Sequence, residues 1–456
     1  APNVQESADP LTVPMDRGPR LTRVASTHFS RDLAAGAFPK AGWQQSSRSC
    51  VQVGQAIADA ANRLQVVGRL AKLGLQAEAG QLIKQRADAT ARFTTTLVAR
   101  DLAKPRKTRL LDRGEYNLPT GEPLQPDVLK AMNPFPEGEP RNRLGLARWL
   151  VDVDNPLVAR VTVNRWWAEI MGRGLVATQE DFGAQGEAPT HQGLLDWLAV
   201  EFVESGWSMK HIHRLIVTSR IYRQSSRVSG EHLEQDPGNR YFARAPRMRM
   251  SAEMVRDSAL AASGLLAHRM HGPPIYPPQP NGIWRHVGRN APKFVAAKDE
   301  NRFRRGVYVV WRRGAPYASF VNFDAPDRGT CVVARPRTNT PLQALTLLND
   351  EAYVEMAMAF AGRILAEPGL ANDEQRIDFA FRVALTRPPR PVEVAYLNQL
   401  LAKREAALAA EPKAARQLVS GVKNWRMPAG VEVGDLAKWF TVANVLLNLD
   451  EAITKG

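Results

Sequence analysis

Residues 340–365 read TPLQALTLLNDEAYVEMAMAFAGRIL, and this stretch carries both a helix start signal and a long apolar helical pattern. Thr340 is a favoured N-cap residue, Pro341 suits the first helical position, and Gln343 stands at the third. Apolar side chains then recur at helical spacing to about Leu365. We therefore predict one helix that begins at Pro341 in a capping box and ends near Leu365.

Helical periodicity also dominates the sequence on both sides of this stretch. It predicts further helices over residues 157–171, 194–205, 209–222, 251–270, 373–386, 391–410 and 434–449. The main β signal is GVYVVWRR (306–313), with TCVVA (330–334) as its partner, because both are rich in β-branched residues. The predicted fold class is mainly α, a multi-helix domain with a small β element near residues 306–334.

The N-terminal quarter of the chain has a different character. Residues 1–52 are polar with scattered Pro and Gly, which indicates an irregular segment. Residues 53–103 carry Leu, Val, Ile and Ala at helical spacing, which favours a helical hairpin or a coiled-coil arm. We predict a division into residues 1–107, the irregular segment with the helical arm, and residues 108–456, the main domain.

The chain of 456 residues is strongly basic, with a formal net charge of +15 and a pI near 10.1. Such a surface favours anionic partners, among them acidic proteins, sulfated or uronic polysaccharides, nucleic acid and anionic lipid headgroups. The alternative is that the arginines mostly form internal ion pairs. We expect no nucleic-acid partner, because no recognisable binding module is present, and no membrane span, because no apolar run reaches the roughly 18 residues required.

Cysteine and histidine spacing bears on metals and haem. The two cysteines are Cys50 and Cys331, and without a Cys-x-x-Cys pair we expect neither a thiolate zinc site nor covalent haem attachment in this chain. The two thiols are either free or joined in a disulfide in an oxidising compartment. His211 and His213 point in different directions on a helix. We therefore expect no metal site.

A first group of candidate site residues lies between residues 157 and 191. Arg160, Asn164 and Trp167 fall at i, i+4 and i+7 on one helix face. A Trp ring gives a flat apolar platform and Arg and Asn give directed hydrogen bonds, so the stripe suits a sugar ring or a carboxylate. Asp181 and His191 add polar groups from a glycine-containing loop. The alternative is that the ring is core and the polar groups serve helix ends and ion pairs.

A second group lies in residues 301–340, which contain eight Arg and two acidic residues, one of them Asp324. Arg335, Arg337 and Asn339 stand just before a predicted helix start, and a helix N-terminus beside arginines is an anion site.

The alternative for these arginines is an internal network with Glu253, Asp257 and Asp324. If the protein is an enzyme, we predict that both groups form one cleft, in which Asp324 or His191 moves protons. The predicted substrate-binding residues of that cleft are Arg160, Asn164, Asp181, Arg335, Arg337 and Asn339.

The polar and aromatic motifs of the main domain resemble, in order, those of the planctomycete cytochrome-c-associated C-terminal domain, a family of unknown function. The motifs that carry the resemblance include LLDRGEYNLPTGEPLQP (110–126), RNRLGLARWLV, NPLVARVTVNRWW, SGWSMKHIHRLIVTS, PRMRMSAEMVRD, FDAPDRGTCVVARPRTNTPLQALTLLND and ANVLLNLDEAITKG. Together they extend over roughly three-quarters of the chain. The resemblance supplies no catalytic residues.

The resemblance implies a secreted protein, periplasmic or extracellular, that works with a c-type cytochrome in electron transfer or in redox processing of complex polysaccharide. The haem would belong to a partner subunit or to an upstream domain of a longer protein. Two alternatives stay open: a non-enzymatic scaffold that docks an acidic cytochrome or an anionic polymer, and a polysaccharide-binding or hydrolytic protein.

Overall fold

The computed structural model describes residues 22–23, 76–91, 97–99, 101–102, 106–286, 293–422 and 425–456. It divides the chain into two compact units, Ala1–Pro126 and Asp127–Gly456. The described elements of the first unit are helix α1 (Gln76–Ala91) and the antiparallel pairs β1 (Thr22–Arg23) with β2 (Leu97–Val98) and β3 (Thr108–Leu111) with β4 (Pro119–Leu124). Most of the predicted irregular segment, and residues 53–75 of the predicted arm, lie outside the described residues.

The second unit is built mainly from helices, which confirms the predicted fold class. The α-helices in its described residues are α2 (Arg143–Leu150), α3 (Val158–Met171), α4 (Gln192–Glu204), α5 (Met209–Thr218), α6 (Gly230–Gln235), α7 (Ala252–Ser263), α8 (Ala318–Asn322), α9 (Pro341–Asn349), α10 (Glu351–Ala366), α11 (Asp373–Leu385), α12 (Pro391–Ala410), α13 (Pro412–Gly421) and α14 (Val433–Asn448). One short antiparallel pair joins β5 (Met248–Arg249) to β6 (Thr454–Lys455).

The larger hydrophobic core surrounds α10, whose sequence EAYVEMAMAFAGRILA is apolar on nearly every side. A helix of this kind must be covered on all faces, and α10 packs against α7, α9, α11 and α14. Phe360 and Ile364 of α10 and Trp439 of α14 are completely buried. Burial of Phe360 or of Ile364 stabilises the fold by about 1.5–3 kcal/mol relative to exposure.

A second, smaller core lies between α3, α4 and α5. Trp167, Phe202 and Ile212 contribute one buried side chain from each helix. The last strand reaches this core, because Lys455 Nζ donates to the carbonyl oxygen of Ile170 at 2.7 Å. That carbonyl lies at the C-terminal end of α3, where the helix dipole favours a cation.

The single helix predicted from Pro341 is in fact two helices, because Asp350 interrupts it. Asp350 has extended backbone (φ −66°, ψ 133°), and its carboxylate accepts a hydrogen bond from a backbone N–H in the first turn of α10 at 3.0 Å. It therefore ends α9 and caps α10. The predicted capping box is wrong as well: Thr340 makes no side-chain cap bond, and Gln343 Nε2 donates to Thr338 instead.

Other helix boundaries also differ from the prediction. The helix predicted to reach Met270 ends at Ser263, because Gly264 adopts a left-handed conformation (φ 75°) and its N–H bonds back into the last turn. The helices predicted from the sequence do not include α13, which begins at Pro412 directly after α12. In the structure this proline is the first residue of α13, a position that proline favours.

The β element predicted near residues 306–334 is reduced, within the described residues, to one parallel bridge between Ile275 and Val309. Gly306–Tyr308 forms a 3-10 turn rather than a strand. The reason is that the backbone N–H of Gly306 donates to Asp257 Oδ1 at 2.6 Å, which turns the chain against α7. The predicted partner segment TCVVA forms no strand.

Three buried arginines tie the second unit together. Arg302 pairs with Glu355 of α10, with Nε and Nη2 lying 3.2 and 2.6 Å from the two carboxylate oxygens. These side chains are only 3% and 8% exposed. Arg304 donates to backbone carbonyl groups of residues 269–273, and Arg256 donates to the carbonyl group of Arg302. The chain on both sides of Arg302 is thereby held against the core.

We expect Glu355→Gln to lower the free energy of unfolding by about 3–5 kcal/mol, because the buried Arg302 guanidinium loses its counter-charge. Urea denaturation followed by circular dichroism measures the change. The matched control is Glu405→Gln, since Glu405 pairs with Lys438 at 3.5 Å and is 70% exposed. The control should change the free energy by about 0.5 kcal/mol or less. Equal effects of the two variants would contradict the role given to the buried pair.

A second ionic cluster joins the start of α12 to the C-terminal turn Asp450–Ile453. Arg387 donates to both carboxylate oxygens of Glu393 at 2.8 Å and also pairs with Glu451. Glu393 further accepts from the backbone N–H of Arg390 at 2.6 Å and from its guanidinium at 2.8 Å. The hydrogen bonds from Arg387, and then those from Arg390, hold the pKa of Glu393 well below its usual range despite partial burial.

Because the pKa of Glu393 is depressed in the folded state, its stabilising effect is present above the unfolded pKa and is lost as the pH falls. We expect Glu393→Gln to lower the free energy of unfolding by about 1–3 kcal/mol at neutral pH. The difference from wild type should shrink progressively below about pH 4. Denaturation at a series of pH values tests this, with Glu234→Gln on α6 as the exposed control. A difference independent of pH would refute the assignment.

Candidate functional site

Asn164 of α3 is fully buried and holds the loop that follows its helix. Its amide donates to the carbonyl group of Val176 at 3.0 Å and accepts from the N–H of the same residue at 2.9 Å. Gly174 allows this contact, since a Cβ there would lie 2.9 Å from the Asn164 amide and 2.3 Å from the Val176 carbonyl oxygen. Asn164 therefore positions backbone and does not face solvent.

The other members of the first group also have partners inside the chain. Arg160 Nε donates to Asp196 Oδ1 of α4 at 2.6 Å. Trp167 is core, so the ring expected as a sugar platform is not presented at the surface. Asp181 accepts from the N–H of Gly183 at 2.7 Å.

His191 lies at the end of the same loop. Its Nδ1 is 3.0 Å from the Thr190 hydroxyl, and its ring packs against Tyr241 and Phe242. The side chain is half-buried. These contacts orient the imidazole, and among the residues that the structure describes no carboxylate forms an ion pair with it.

Asp324 fixes the arginine-rich chain segment that precedes α9. It adopts a left-handed backbone conformation (φ 59°), and its carboxylate accepts from the N–H of Thr338 at 2.7 Å and from the Thr338 hydroxyl at 2.9 Å. Gln343 holds the same threonine from the other side. Asp324 therefore serves as an anchor for residues 335–339.

The arginines of that segment differ in what they contact. Arg335 pairs with Glu253 of α7 at 2.7 Å. Arg337 Nη1 lies 3.1 Å from the sulfur of Met248, which is a weak acceptor. Asn339 is exposed. Arg337 also lies near Gly172, at the end of α3. Among the contacts of the described residues, none joins His191 to Asp324.

Two tryptophan rings contact arginines that were not among the predicted site residues. The Arg328 guanidinium lies 4.9 Å above the Trp311 ring, and the Arg312 guanidinium lies 4.9 Å above the Trp284 ring. Each ring attracts the cation through its π face, and exposed Arg313 is adjacent in the chain. The available sequence signal was the local excess of arginine in residues 301–340.

Helix α7 connects the two parts of this region. Gly306 lies so close to Glu253 that a Cβ at the glycine would be 2.9 Å from the Glu253 Cα. Glu253 in turn pairs with Arg335, while Asp257 pairs with Arg305 at 3.3 Å. The segment that leads to Trp311 and the segment before α9 therefore rest on the same helix. The sequence offered an internal ion-pair network with Glu253, Asp257 and Asp324 as the alternative for the eight arginines of residues 301–340. Two of them form such pairs, Arg335 with Glu253 and Arg305 with Asp257.

We call the combined region the arginine surface. It consists of Arg312, Arg313, Arg328, Arg335 and Arg337 with the rings of Trp284 and Trp311. Within the described residues, no carboxylate pairs with any of these arginines except Arg335. Guanidinium groups that are exposed and lack a carboxylate can bind carboxylate, sulfate or phosphate groups of another molecule.

Three further findings concern metals, thiols and membranes. In the part of the chain that the structure describes, no group of three or more His, Cys, Asp or Glu side chains could hold a metal ion. Cys331 is exposed, and Cys50 lies outside the described residues. None of the described helices has the length and apolar character needed to cross a membrane.

The fold and the site together define a mainly helical protein with a basic, arginine-rich surface. A family model described as PSD1, protein of unknown function (DUF1553), matches residues 142–401, which is more than half of the chain. The chain belongs to this family. A search of curated proteins found no match, and neither did a search of solved structures.

We expect Asn164→Ala to lower the free energy of unfolding by about 1–3 kcal/mol, because the buried N–H and carbonyl groups of Val176 lose their partner. The matched control is Asn339→Ala, which removes an exposed amide and should leave stability unchanged. Chemical denaturation separates the two. An Asn164→Ala protein of wild-type stability would show that this amide is not a structural clamp.

Proposed function

We propose that the chain is a docking module that binds an anionic partner through the arginine surface. The observation that carries the proposal is that four exposed or half-exposed arginines of this surface have no carboxylate partner among the described residues. Long-range attraction by such a surface accelerates the encounter with an acidic partner and weakens with salt.

The contacts of the predicted catalytic residues support docking rather than a catalytic cleft. Both carboxylate oxygens of Asp324 accept hydrogen bonds from Thr338, and a catalytic role would require their release. The described contacts of His191 are with Thr190 and two aromatic rings, and none of them is with Asp324. Asn164, expected to bind substrate, is buried. In the proposed scaffold, these side chains keep the loops of the second unit in place.

The partner that we propose first is a c-type cytochrome, present as a separate subunit or as another domain. The haem would reside on that partner, since this chain has no haem-attachment motif. The proposal includes a periplasmic or extracellular location, in bacteria of the planctomycete type, and a role in electron transfer or in redox processing of polysaccharide. Its support is the motif resemblance together with the unpaired arginines.

An anionic polysaccharide is the second candidate partner. It is favoured by the rings of Trp284 and Trp311, because aromatic rings beside guanidinium groups suit sugars that carry carboxylate or sulfate. Hydrolysis of the polymer is the enzymatic form of this candidate. Release of reducing ends without an electron acceptor would identify it.

We expect Arg313→Glu combined with Arg337→Glu to weaken binding of polyglutamate and of heparin about tenfold or more at low salt. The control is Lys413→Glu combined with Arg416→Glu on α13, which makes the same change of net charge at exposed positions elsewhere. Fluorescence anisotropy at several salt concentrations measures both affinity and its salt dependence. Equal losses in the two double variants would show that only net charge matters and would overturn the proposed surface.

A further inference from the structure

Helix α9 buries Leu347 in the larger core together with two polar residues, Gln343 and Thr346, and leaves three other leucines at its surface. Gln343 and Thr346 are 1% and 9% exposed, whereas Leu342 and Leu345 are 59% and 53% exposed. Leu348 continues the outward row at 36% exposure. Amphipathic helices in a folded domain normally show the opposite arrangement. The outward row of leucines therefore calls for a physical explanation.

The buried polar side chains of α9 form hydrogen bonds with neighbouring segments inside the protein. Gln343 donates to the backbone and hydroxyl of Thr338, and Asn322 of α8 donates to the Thr346 hydroxyl at 2.8 Å. These bonds fix the arginine-bearing segment and join α8 to α9. The polar face of α9 is thus used inside the protein, and the leucine face remains uncovered.

The exposed leucines lie close in the chain to one end of the arginine surface. Leu342 follows Arg337 by five positions in the chain, and Val321 of α8, which packs against α9, is 48% exposed. An apolar stripe therefore begins five positions after Arg337, one of the unpaired arginines. We call the set Val321, Leu342, Leu345 and Leu348 the leucine stripe.

We propose that the partner of the arginine surface is a protein segment that is acidic and amphipathic. Its carboxylates would meet the unpaired arginines, and its apolar side chains would cover the leucine stripe. The inference rests on the proposed docking function and narrows it by charge complementarity. A sulfated or uronic polysaccharide supplies the charges but lacks the row of apolar groups that would cover the leucines.

The test compares two synthetic helical peptides of identical Glu and Leu composition. In one, leucines recur at i, i+3, i+4 and i+7 to form a stripe, and in the other the same residues are scrambled. Fluorescence anisotropy with the full chain should show the striped peptide binding about fivefold more tightly or better. Leu342→Gln combined with Leu345→Gln should abolish the difference and leave polyglutamate binding unchanged.

The matched control is Val392→Gln combined with Tyr396→Gln, which alters two apolar residues on α12 that are 52% and 68% exposed. It should leave the preference for the striped peptide intact. If both peptides bind equally and the leucine variant behaves as wild type, the inference fails while the docking function stands. If neither peptide nor polyglutamate binds, the docking function fails as well.

A second copy of this chain is the competing occupant of the leucine stripe. Sedimentation of the wild-type protein and of the leucine double variant decides this point. We expect both to show the same mass. A wild-type dimer that the leucine variant loses would assign the stripe to self-association and overturn the acidic-segment proposal.

Discussion

The buried ion pair between Arg302 and Glu355 is the interaction on which the rest of the second unit depends. Removing two charges from water is costly, and only close geometry with additional hydrogen bonds offsets that cost. Here the guanidinium meets both carboxylate oxygens, and the carbonyl group of the same arginine accepts from buried Arg256. The pair fastens the irregular chain before residue 305 to α10, the helix at the centre of the larger core. The segment that emerges from it leads directly to the arginine surface.

The arginines of residues 301–340 have two roles, according to whether their side chains are buried or exposed. Arg302 and Arg304 are buried and bind a carboxylate or backbone carbonyl groups, so they act as structural clamps. Arg312 and Arg328 lie over tryptophan rings at the surface, which restricts their motion without neutralising their charge. A guanidinium that is held in place but not paired loses less conformational entropy on binding an anion. The basic composition therefore reflects both internal ion pairs and a charged surface.

Helix α9 likewise has one structural face and one exposed face. Its polar residues hold the segment that Asp324 anchors from the other side, through shared contacts with Thr338. The helix thus stabilises a charged loop at the expense of leaving leucines in water. Such an arrangement is stable in the free protein because α10 and α14 supply most of the core. In the complex that we propose, the partner segment covers these leucines and removes them from water.

The sequence by itself determined the helical class, most helix positions and membership of a domain family of unknown function, because these depend on local periodicity and on contiguous motifs. It also located the charge excess that marks the arginine surface. It did not determine the break at Asp350, the 3-10 turn at Gly306 or the inward role of Asn164. The turn and the role of Asn164 depend on bonds to residues outside the local pattern, Asp257 for Gly306 and Val176 for Asn164. The break at Asp350 depends on a local cap that interrupts an otherwise continuous apolar periodicity. Only the tertiary structure decided which arginines are clamps and which face solvent, because burial is set by the packing of distant segments and not by residue type.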